Sequence, residues 1–217
     1  MSIVELASFS GVIAGYDPGG NNNHGLALLD YHDGLCKTSH FQTYQNAEDV
    51  ISSILSLNRL DALGIDTLAA WSTGPSGWRP ADRWLRSQYR LCLHSIVSPN
   101  GLYGSMGING MSVLLEVRRA YPHVQITEAH PKVLYWALTG KKYAYDQTSQ
   151  IMDQELSSLI GANVRTHTDH EWDAIASALA AYKGMLGAWK HDLFQEPMAD
   201  DERLIYPAGH VNYWWPE

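Results

Sequence analysis

The chain has 217 residues, which is enough to bury most of its apolar surface in one core and lies within the size range of a single domain. Hydrophobic residues make up 45% of the sequence and charged residues 18%, proportions that are typical of a globular protein and exclude a largely disordered chain. The formal net charge of -8, from 23 acidic and 15 basic residues, disfavours non-specific adhesion to a phosphate backbone. Any role on nucleic acid has to work against this charge.

The sequence shows no sign of a membrane or secreted protein. No stretch approaches the roughly 20 continuous apolar residues of a membrane span. The segment Met1 to Ser10 has no basic residue ahead of its short apolar run, unlike a secretory signal. The two cysteines, Cys36 and Cys92, are far apart, so neither a disulfide framework nor a zinc site is predicted. We therefore expect a cytoplasmic protein.

The N-terminal part of the chain predicts a three-stranded antiparallel meander. The apolar run from Gly11 to Asp17 is typical of a buried strand, and six consecutive turn-forming residues end it. A second strand is predicted over Leu26 to Leu29. The pair Asp33-Gly34 is a strong hairpin signal, and Leu35 to Tyr44 return as the third strand. This pattern places Asp17 at the C-terminal end of the first strand.

Helices and strands alternate in the middle of the chain. Asn46 is a suitable N-cap for a helix through Leu57, and a strand is predicted over Ala62 to Asp66. Two loops are predicted, one over Thr67 to Pro80, which holds Gly, Pro and two tryptophans, and one over Ser98 to Gly110, which is rich in Gly, Pro and Asn. One helical segment lies between these loops, and another is expected near Met111 to Ala120.

The C-terminal part predicts one more strand and three helices. The strand covers Val124 to Glu128, and Pro131 suits the first position of a short helix that Gly140 ends. A second helix runs from about Thr148 to Gly161. The last and best defined helix begins at the capping-box pattern Thr168-Asp-His-Glu171 and continues to about Trp189.

No repeat or linker divides the sequence, so we predict a single domain over residues 1–217 with an aromatic C-terminal tail over residues 190–217. Exposed paired aromatic residues usually mark contacts. The pair Trp214-Trp215 is therefore expected to dock on this domain or on a second copy of the chain, which would give a homodimer.

Acidic residues fall where the predicted elements of the sheet and the last helix meet. Asp17 and Asp66 end two strands, and the ends of neighbouring strands lie roughly 4.8 Å apart. On the last helix, Asp169 and His170 come four and three residues before Asp173, so one helix face can present them together with it. Carboxylates that converge in this way suit a hard divalent cation, and their mutual repulsion is costly without one.

Five motifs carry a resemblance to a known family, and together they span most of the chain. They are, in order, Gly15-Tyr-Asp17, Gly64-Ile-Asp66, Arg79-Pro-Ala-Asp82-Arg83, Glu128-Ala-His-Pro131 and Asp173-Ala-Ile-Ala-Ser-Ala178. In this order they resemble the uncharacterised bacterial and archaeal domain described as a predicted ribonuclease H-like nuclease. The segment His170-x-x-Asp173-Ala174 also looks like the last-helix metal ligands of Holliday-junction resolvases, which share the fold.

The resemblance implies an α/β fold of the ribonuclease H-like kind, with a mixed sheet (the antiparallel meander plus parallel strands) flanked by helices. It also implies hydrolysis of phosphodiester bonds in DNA or RNA by two Mg²⁺ or Mn²⁺ ions. Asp17 would bridge both ions, Asp66 and Asp173 would each hold one side, and His170 or Asp169 would complete the shell. Glu128 is a further candidate ligand. The chain departs from the family at Thr67 and Lys132, where Pro and Glu are common, but the ligands stay intact.

Each of these residues also has a structural interpretation. Taken singly, Asp17 or Asp66 is more often a turn residue or a helix cap, although their joint placement favours a site. Asp169 is explained equally well by the helix dipole, whereas Asp173 lies too far into its helix to cap it. Glu128 is a ligand, an ion-pair partner for Arg79 or Arg83, or an anion at a helix start.

The arginines of the third motif are candidates for substrate binding. Arg79, Asp82, Arg83 and Arg86 have helical spacing, which is typical of a solvated charged face with internal ion pairs. The alternative is a phosphate clamp in which Arg79 and Arg83 offer bidentate donors. The nearby tryptophans Trp71, Trp78 and Trp84 could stack on a nucleobase, but such residues more often pack a loop.

The leading functional interpretation is therefore a metal-dependent nuclease. One alternative is an actin-like or sugar-kinase-like phosphotransferase, in which Asp17-Pro-Gly-Gly20 would be a phosphate turn. That class usually needs two such lobes and a second phosphate loop, for which this chain is too short. The other alternative is a non-catalytic binding module on the same fold, which would suit the acidic surface.

Overall fold

The computed structural model describes residues 9–96 and 104–217 of the chain. In chain order its strands are β1 (Gly11–Asp17), β2 (His24–His32), β3 (Leu35–Tyr44), β4 (Ala62–Ile65), β5 (Trp71–Ser72), β6 (Gln125–Glu128), β7 (His191–Asp192), β8 (Leu204–Ile205) and β9 (Trp214–Trp215). Its α-helices are α1 (Ala47–Leu55), α2 (Pro80–Gln88), α3 (Gly104–Ala120), α4 (Pro131–Thr139), α5 (Tyr145–Ile160) and α6 (Asp169–Met185). Short 3-10 turns cover Arg90–Cys92 and Leu193–Gln195.

A five-stranded mixed sheet forms the centre of the fold, with strand order β3-β2-β1-β4-β6. The first three strands pair antiparallel, as the Asp33-Gly34 hairpin signal indicates, and β1, β4 and β6 run parallel. The predicted α/β fold with a meander and added parallel strands is confirmed. Because β1 and β4 are parallel neighbours, their C-terminal ends, and with them Asp17 and Asp66, lie at the same edge.

Helix α6 packs against the sheet at unusually short range. Three glycines on β1, β2 and β4 face it, and a Cβ atom on any of them would overlap a backbone carbonyl of the helix or its entry turn. Gly15 lies under Ala174, Gly25 lies under His170, and Gly64 lies under Ser177. The helix side of the contact is built largely from alanines that are fully buried. The small residues on both sides therefore set the height of α6 above the sheet.

Helix α6 starts at the predicted capping box, but the hydrogen bond that the Glu171 side chain accepts differs from the standard one. The Thr168 side chain accepts the backbone N–H of Glu171 at 3.2 Å, as expected. The Glu171 carboxylate accepts the backbone N–H of His167 at 2.7 Å, one residue earlier than the standard capping box. The helix ends at Met185, short of Trp189, and Gly187 beyond it has a positive φ of 66°.

Helix α3 begins at Gly104, so the prediction of a loop over Ser98 to Gly110 is wrong for its second half; residues 97–103 lie outside the described part. Glycines disfavour a helix in isolation, but here tertiary contacts decide the conformation. Gly110 lies so close to Thr67 that a Cβ atom would meet the threonine side chain at about 2.4–2.6 Å. Asn109 also donates its side-chain N–H to the carbonyl of Gly19 at 2.9 Å. These contacts join α3 to the turns that follow β1 and β4.

Other boundaries shift by a few residues. Strand β2 is longer than predicted, α1 ends two residues early, and α5 begins at Tyr145 with a non-helical Thr148 (φ -136°) inside it. The predictions that one helix ends at Gly140 and another at Gly161 are confirmed, and both glycines have a left-handed backbone conformation. Of the segment Met1 to Ser10, residues 1–8 lie outside the described part of the chain. No helix in the described part is both long and apolar enough to cross a membrane.

The C-terminal segment packs on the rest of the chain and covers the edge of the sheet. Strand β9 pairs with β7, and Trp215 is fully buried and donates its indole N–H to the Tyr89 hydroxyl at 2.9 Å. Trp214 lies against Gly184 of α6. Asn212 bridges to β6 through two backbone hydrogen bonds, to Ile126 and from Glu128.

We expect Gly64→Ala to destabilise the protein, because the added methyl group would overlap the Ser177 carbonyl and force α6 away from the sheet. Overpacking of this kind costs about 1–3 kcal/mol or more. Thermal or urea unfolding measures the loss. Gly20→Ala is the matched control, since no heavy atom lies within 4 Å of its added Cβ. Equal stability of the two variants would contradict the proposed close contact.

Candidate metal centre

The structure brings Asp17, Asp66 and Asp173 together at one end of the sheet. Asp17 is the last residue of β1, and Asp66 follows β4 and donates its backbone N–H to Tyr16 at 3.0 Å. Asp173 reaches the same place from the second turn of α6. One carboxylate oxygen from each residue lies within 4.8 Å of those of the other two. Residues far apart in sequence therefore converge on a space that a divalent cation can fill.

The three carboxylates are poorly stabilised without a cation. Asp17 and Asp173 are buried, at 3% and 4% exposed, and Asp66 is partly buried. Burial raises the pKa of all three well above the ordinary value, and repulsion from neighbouring carboxylates adds to this rise, whereas the charge of Lys132 opposes it. The Oδ1 atom of Asp173 is buried and has no hydrogen-bond partner. An unpartnered carboxylate oxygen beside two other carboxylates fits a hard divalent cation.

His170 acts on Asp17 directly. Its Nδ1 atom lies 2.6 Å from Oδ2 of Asp17, at the distance of a charge-assisted hydrogen bond. If Nδ1 carries the proton, as this contact requires when the carboxylate is charged, Nε2 has a free lone pair. That side chain is 27% exposed. His170 thus fixes the orientation of one carboxylate and offers a second nitrogen at the mouth of the site.

Asp169 lies at the margin of the site. Its side chain is 44% exposed, and its Oδ1 atom is 3.9 Å from Nε2 of His170. The same oxygen accepts the backbone N–H of His170 at 3.1 Å. Asp169 does not belong to the group of three whose ligand atoms converge. Its position suits the helix-dipole interpretation, and it contributes negative charge to the centre from a distance.

Glu128 forms a bidentate ion pair with Arg79, with N···O distances of 2.7 Å and 2.6 Å. The guanidinium also donates to Asp82, at 2.9 Å and 2.8 Å, and to the carbonyl of Ala70 at 3.3 Å. All five N–H groups of Arg79 are used. Glu128 further accepts the backbone N–H of Ala69 at 2.8 Å. This network holds the segment after β4 and the start of α2 beside Asp66.

The contacts of Arg79 and Glu128 within this network are structural, whereas the sequence suggested a phosphate contact for Arg79 and a metal ligand for Glu128. Arg79 is only 2% exposed and cannot reach a phosphate in solution, and both Glu128 oxygens already accept hydrogen bonds. Arg83, 41% exposed at its side chain, forms a bidentate pair with Glu202 of the C-terminal segment, at 2.6 Å and 3.0 Å. The third motif thus holds the framework of the site together.

Two residues beside the centre were not among the predicted site residues. Lys132, the second residue of α4, is close enough to Asp173, Asp66 and Asp17 that their charges raise its pKa against the opposing effect of burial. The Tyr143 hydroxyl is buried next to Asp173, and burial together with the charge of Asp173 raises the pKa of Tyr143. Lys132 stood out in sequence as a departure from the family pattern. Tyr143 follows a helix end and carried no signal.

The aromatic residues after Asp66 pack within the protein. Trp84 lies edge-on to His191, with ring centroids 4.8 Å apart, and the guanidinium of Arg86 stacks on Trp78 at 4.5 Å. A cleft of about 320 Å³ lies beside Asp66. Its lining includes Lys132, Ser95, Met106, His130 and Tyr213.

The strand order and the carboxylates at the ends of β1 and β4 define a fold of the ribonuclease H-like class. The chain is similar in structure to Thermus thermophilus RuvC in complex with Holliday junction substrate, with a TM-score of 0.50, 16% identity, and coverage of 82% of this chain and 96% of that one. It is also similar to a further Thermus thermophilus RuvC structure, with a TM-score of 0.45, 16% identity, and coverage of 81% and 96%.

The likeness to RuvC confirms the predicted fold and its relation to the resolvase fold; at this identity it extends no further. No family model matches the chain, and no curated protein matches it. Membership of the uncharacterised family stays a prediction.

We expect Asp173→Asn to leave the metal-free protein as stable as the parent or more so, because it removes one of three repelling charges. A raised carboxyl pKa gives stability that is present below the ordinary pKa of 3.8 and lost as pH rises through the raised value. The gain should therefore be largest near pH 8, in thermal unfolding with a chelator. Mn²⁺ should stabilise the parent, by about 2.7 kcal/mol at 100 times its Kd, and not the variant.

The matched control for this prediction is Asp30→Asn, which changes an exposed carboxylate on β2. It should keep the full Mn²⁺-induced rise in Tm. A rise of the parent's size in Asp173→Asn would remove Asp173 from the metal centre.

We expect Glu128→Gln to destabilise the protein by roughly 3–5 kcal/mol, because it leaves the buried guanidinium of Arg79 without half of its countercharge. The Mn²⁺-induced rise in Tm should persist, since Glu128 holds Arg79 and not the cation. Both quantities come from thermal unfolding with and without Mn²⁺. Glu116→Gln, at a half-exposed position on α3, is the control. Loss of the Mn²⁺ effect in the folded Glu128 variant would instead make Glu128 a ligand.

Proposed function

We propose that the protein is a divalent-metal-dependent hydrolase of phosphodiester bonds in nucleic acids. The convergence of Asp17, Asp66 and Asp173 within 4.8 Å supports this proposal most directly. Carboxylate oxygens at this spacing suit Mg²⁺ or Mn²⁺, which activates a water molecule and stabilises the charge on a phosphoryl oxygen. The likeness in fold to RuvC, which is bound to a Holliday junction in one of the solved structures, agrees with this substrate class.

In this proposal Asp17, Asp66 and Asp173 hold the cation. His170 keeps Asp17 in one orientation through the 2.6 Å hydrogen bond, so the carboxylate needs no reorganisation when a cation arrives. The Nε2 atom of His170, on a side chain that is 27% exposed, can complete the ligand set or accept a proton from water. The buried network of Arg79, Glu128 and Asp82 holds the loop after Asp66 in place.

The charges of the protein limit how it can recognise a nucleic acid. The net charge is -8, and the arginines proposed from sequence as substrate contacts are paired with Glu128 and with Glu202. We therefore leave Arg79 out of the substrate contacts, and Arg83 could contribute only by giving up Glu202. Recognition then rests mainly on the cation, so affinity should be weak and strongly dependent on metal.

We expect the parent to cleave at least one of single-stranded DNA, single-stranded RNA, an RNA–DNA hybrid or a four-way junction in Mg²⁺ or Mn²⁺. Asp66→Asn should lower the rate by on the order of 100-fold or more, because it removes a ligand that nothing else replaces. Labelled substrates resolved on denaturing gels give the rates. Asp30→Asn should cleave at the parent's rate.

The proposal fails in two separable ways. If the parent cleaves none of the four substrates yet is stabilised by Mn²⁺ through Asp173, the metal centre stands and the phosphodiesterase activity does not. If Mn²⁺ neither binds nor stabilises the parent, the chain is better described as a binding module on a ribonuclease H-like fold.

A further inference from the structure

Lys132 is a positive side chain placed against an otherwise acidic centre. It is the second residue of α4, which begins three residues after the C-terminal end of β6, and it lines the cleft beside Asp66. Its ammonium lies 5.4 Å from the ring centroid of Tyr143, whose hydroxyl is next to Asp173. Tyr143 thus contacts the ammonium of Lys132 with its ring and lies next to Asp173 with its hydroxyl.

The ammonium is near the carboxylates without being bonded to them. Within residues 9–96 and 104–217, Lys132 forms neither an ion pair nor a hydrogen bond. The buried Oδ1 atom of Asp173 likewise has no partner. Lys132 and Asp66 line the same cleft without direct contact, so a cation held by the carboxylates and an anion held by the ammonium can lie side by side there.

The charges match a single divalent cation. One such ion and the Lys132 ammonium together carry three positive charges, as many as the three converging carboxylates carry negative ones, and Asp169 at the margin adds a fourth negative charge, one fewer than two divalent ions and the ammonium would carry together. A second divalent ion beside the first would leave the group with excess positive charge and would be repelled by the ammonium at short range. The ammonium is also strongly hydrated and a good point-charge partner for a phosphate.

We propose that Lys132 takes the position of a second cation, so that the centre binds one divalent ion and the lysine contacts the phosphate opposite it. This inference rests on the proposed function, because it assumes that the carboxylates bind a metal. It goes beyond that function in assigning the number of ions and a phosphate contact to a residue of α4. Exchange of the lysine for a neutral side chain should open room for a second ion.

The test counts the Mn²⁺ ions bound by the parent, Lys132→Met and Lys132→Arg, by calorimetric titration and by electron paramagnetic resonance. We expect one ion per chain in the parent and in Lys132→Arg. Lys132→Met should bind two, with a spin-coupled spectrum from ions roughly 3.5–4 Å apart, and should bind the first on the order of tenfold more tightly. Methionine keeps the unbranched stem, so the variants differ mainly in charge.

Lys141→Met is the matched control, because Lys141 follows the far end of α4, is 57% exposed and pairs with Glu155. It should bind one ion like the parent. Two ions in the parent, or one in Lys132→Met, would overturn the assignment of Lys132 while leaving the metal centre and the proposed function intact. No ion in the parent or in any variant would overturn both. Asp173→Asn should bind none, which ties the counted ion to the carboxylates.

Discussion

The close contact between α6 and the sheet is the constraint on which the rest of the structure depends. Gly15, Gly25 and Gly64 leave no side chain between the strands and the helix, and the alanines of α6 complete the contact. Any larger residue would lift the helix away from the strands. Asp173 is rigidly attached to that helix, so the height of α6 decides whether its carboxylate meets those of Asp17 and Asp66. Small residues that carry no chemistry thus set the geometry of the metal centre.

Electrostatic repulsion among its carboxylates opposes the assembly of the metal centre. Three buried or half-buried carboxylates repel each other, and the backbone packing around them supplies the free energy that holds them in place. The compensating groups differ in kind. His170 shares a short hydrogen bond with Asp17, whereas Lys132 acts without direct contact, and the Arg79 network neutralises Glu128 nearby without touching the three ligands. Because Arg79 is fully paired with other groups, it does not neutralise the three carboxylates, and their negative charge remains available to bind a cation.

The sequence predicts the parts of this arrangement that depend on local pattern. Strand-then-turn signals placed Asp17 and Asp66 at strand ends, and the parallel pairing of those strands followed from the fold. The capping pattern at Thr168 placed Asp173 in the second turn of a helix. The burial of Arg79 could not be predicted, because helical spacing looks the same on a surface as in a core. The burial of Arg79 depends on its ion pair with Glu128, which is 49 residues away in sequence. The helical start of α3 also depends on remote contacts, to Thr67 and Gly19, that override a glycine-rich local sequence.

The backbone bridge from Asn212 to β6 closes one side of the sheet. An open strand edge presents unpaired N–H and C=O groups that can pair with another chain, and proteins commonly cover or interrupt such edges. Here the backbone of Asn212 pairs with the carbonyl of Ile126 and the N–H of Glu128 on β6. The opposite edge of the sheet is formed by β3. A protease that removed the last six residues would therefore uncover a strand next to the metal centre. The shortened chain would be prone to edge-to-edge association as well as loss of the Trp215 contact.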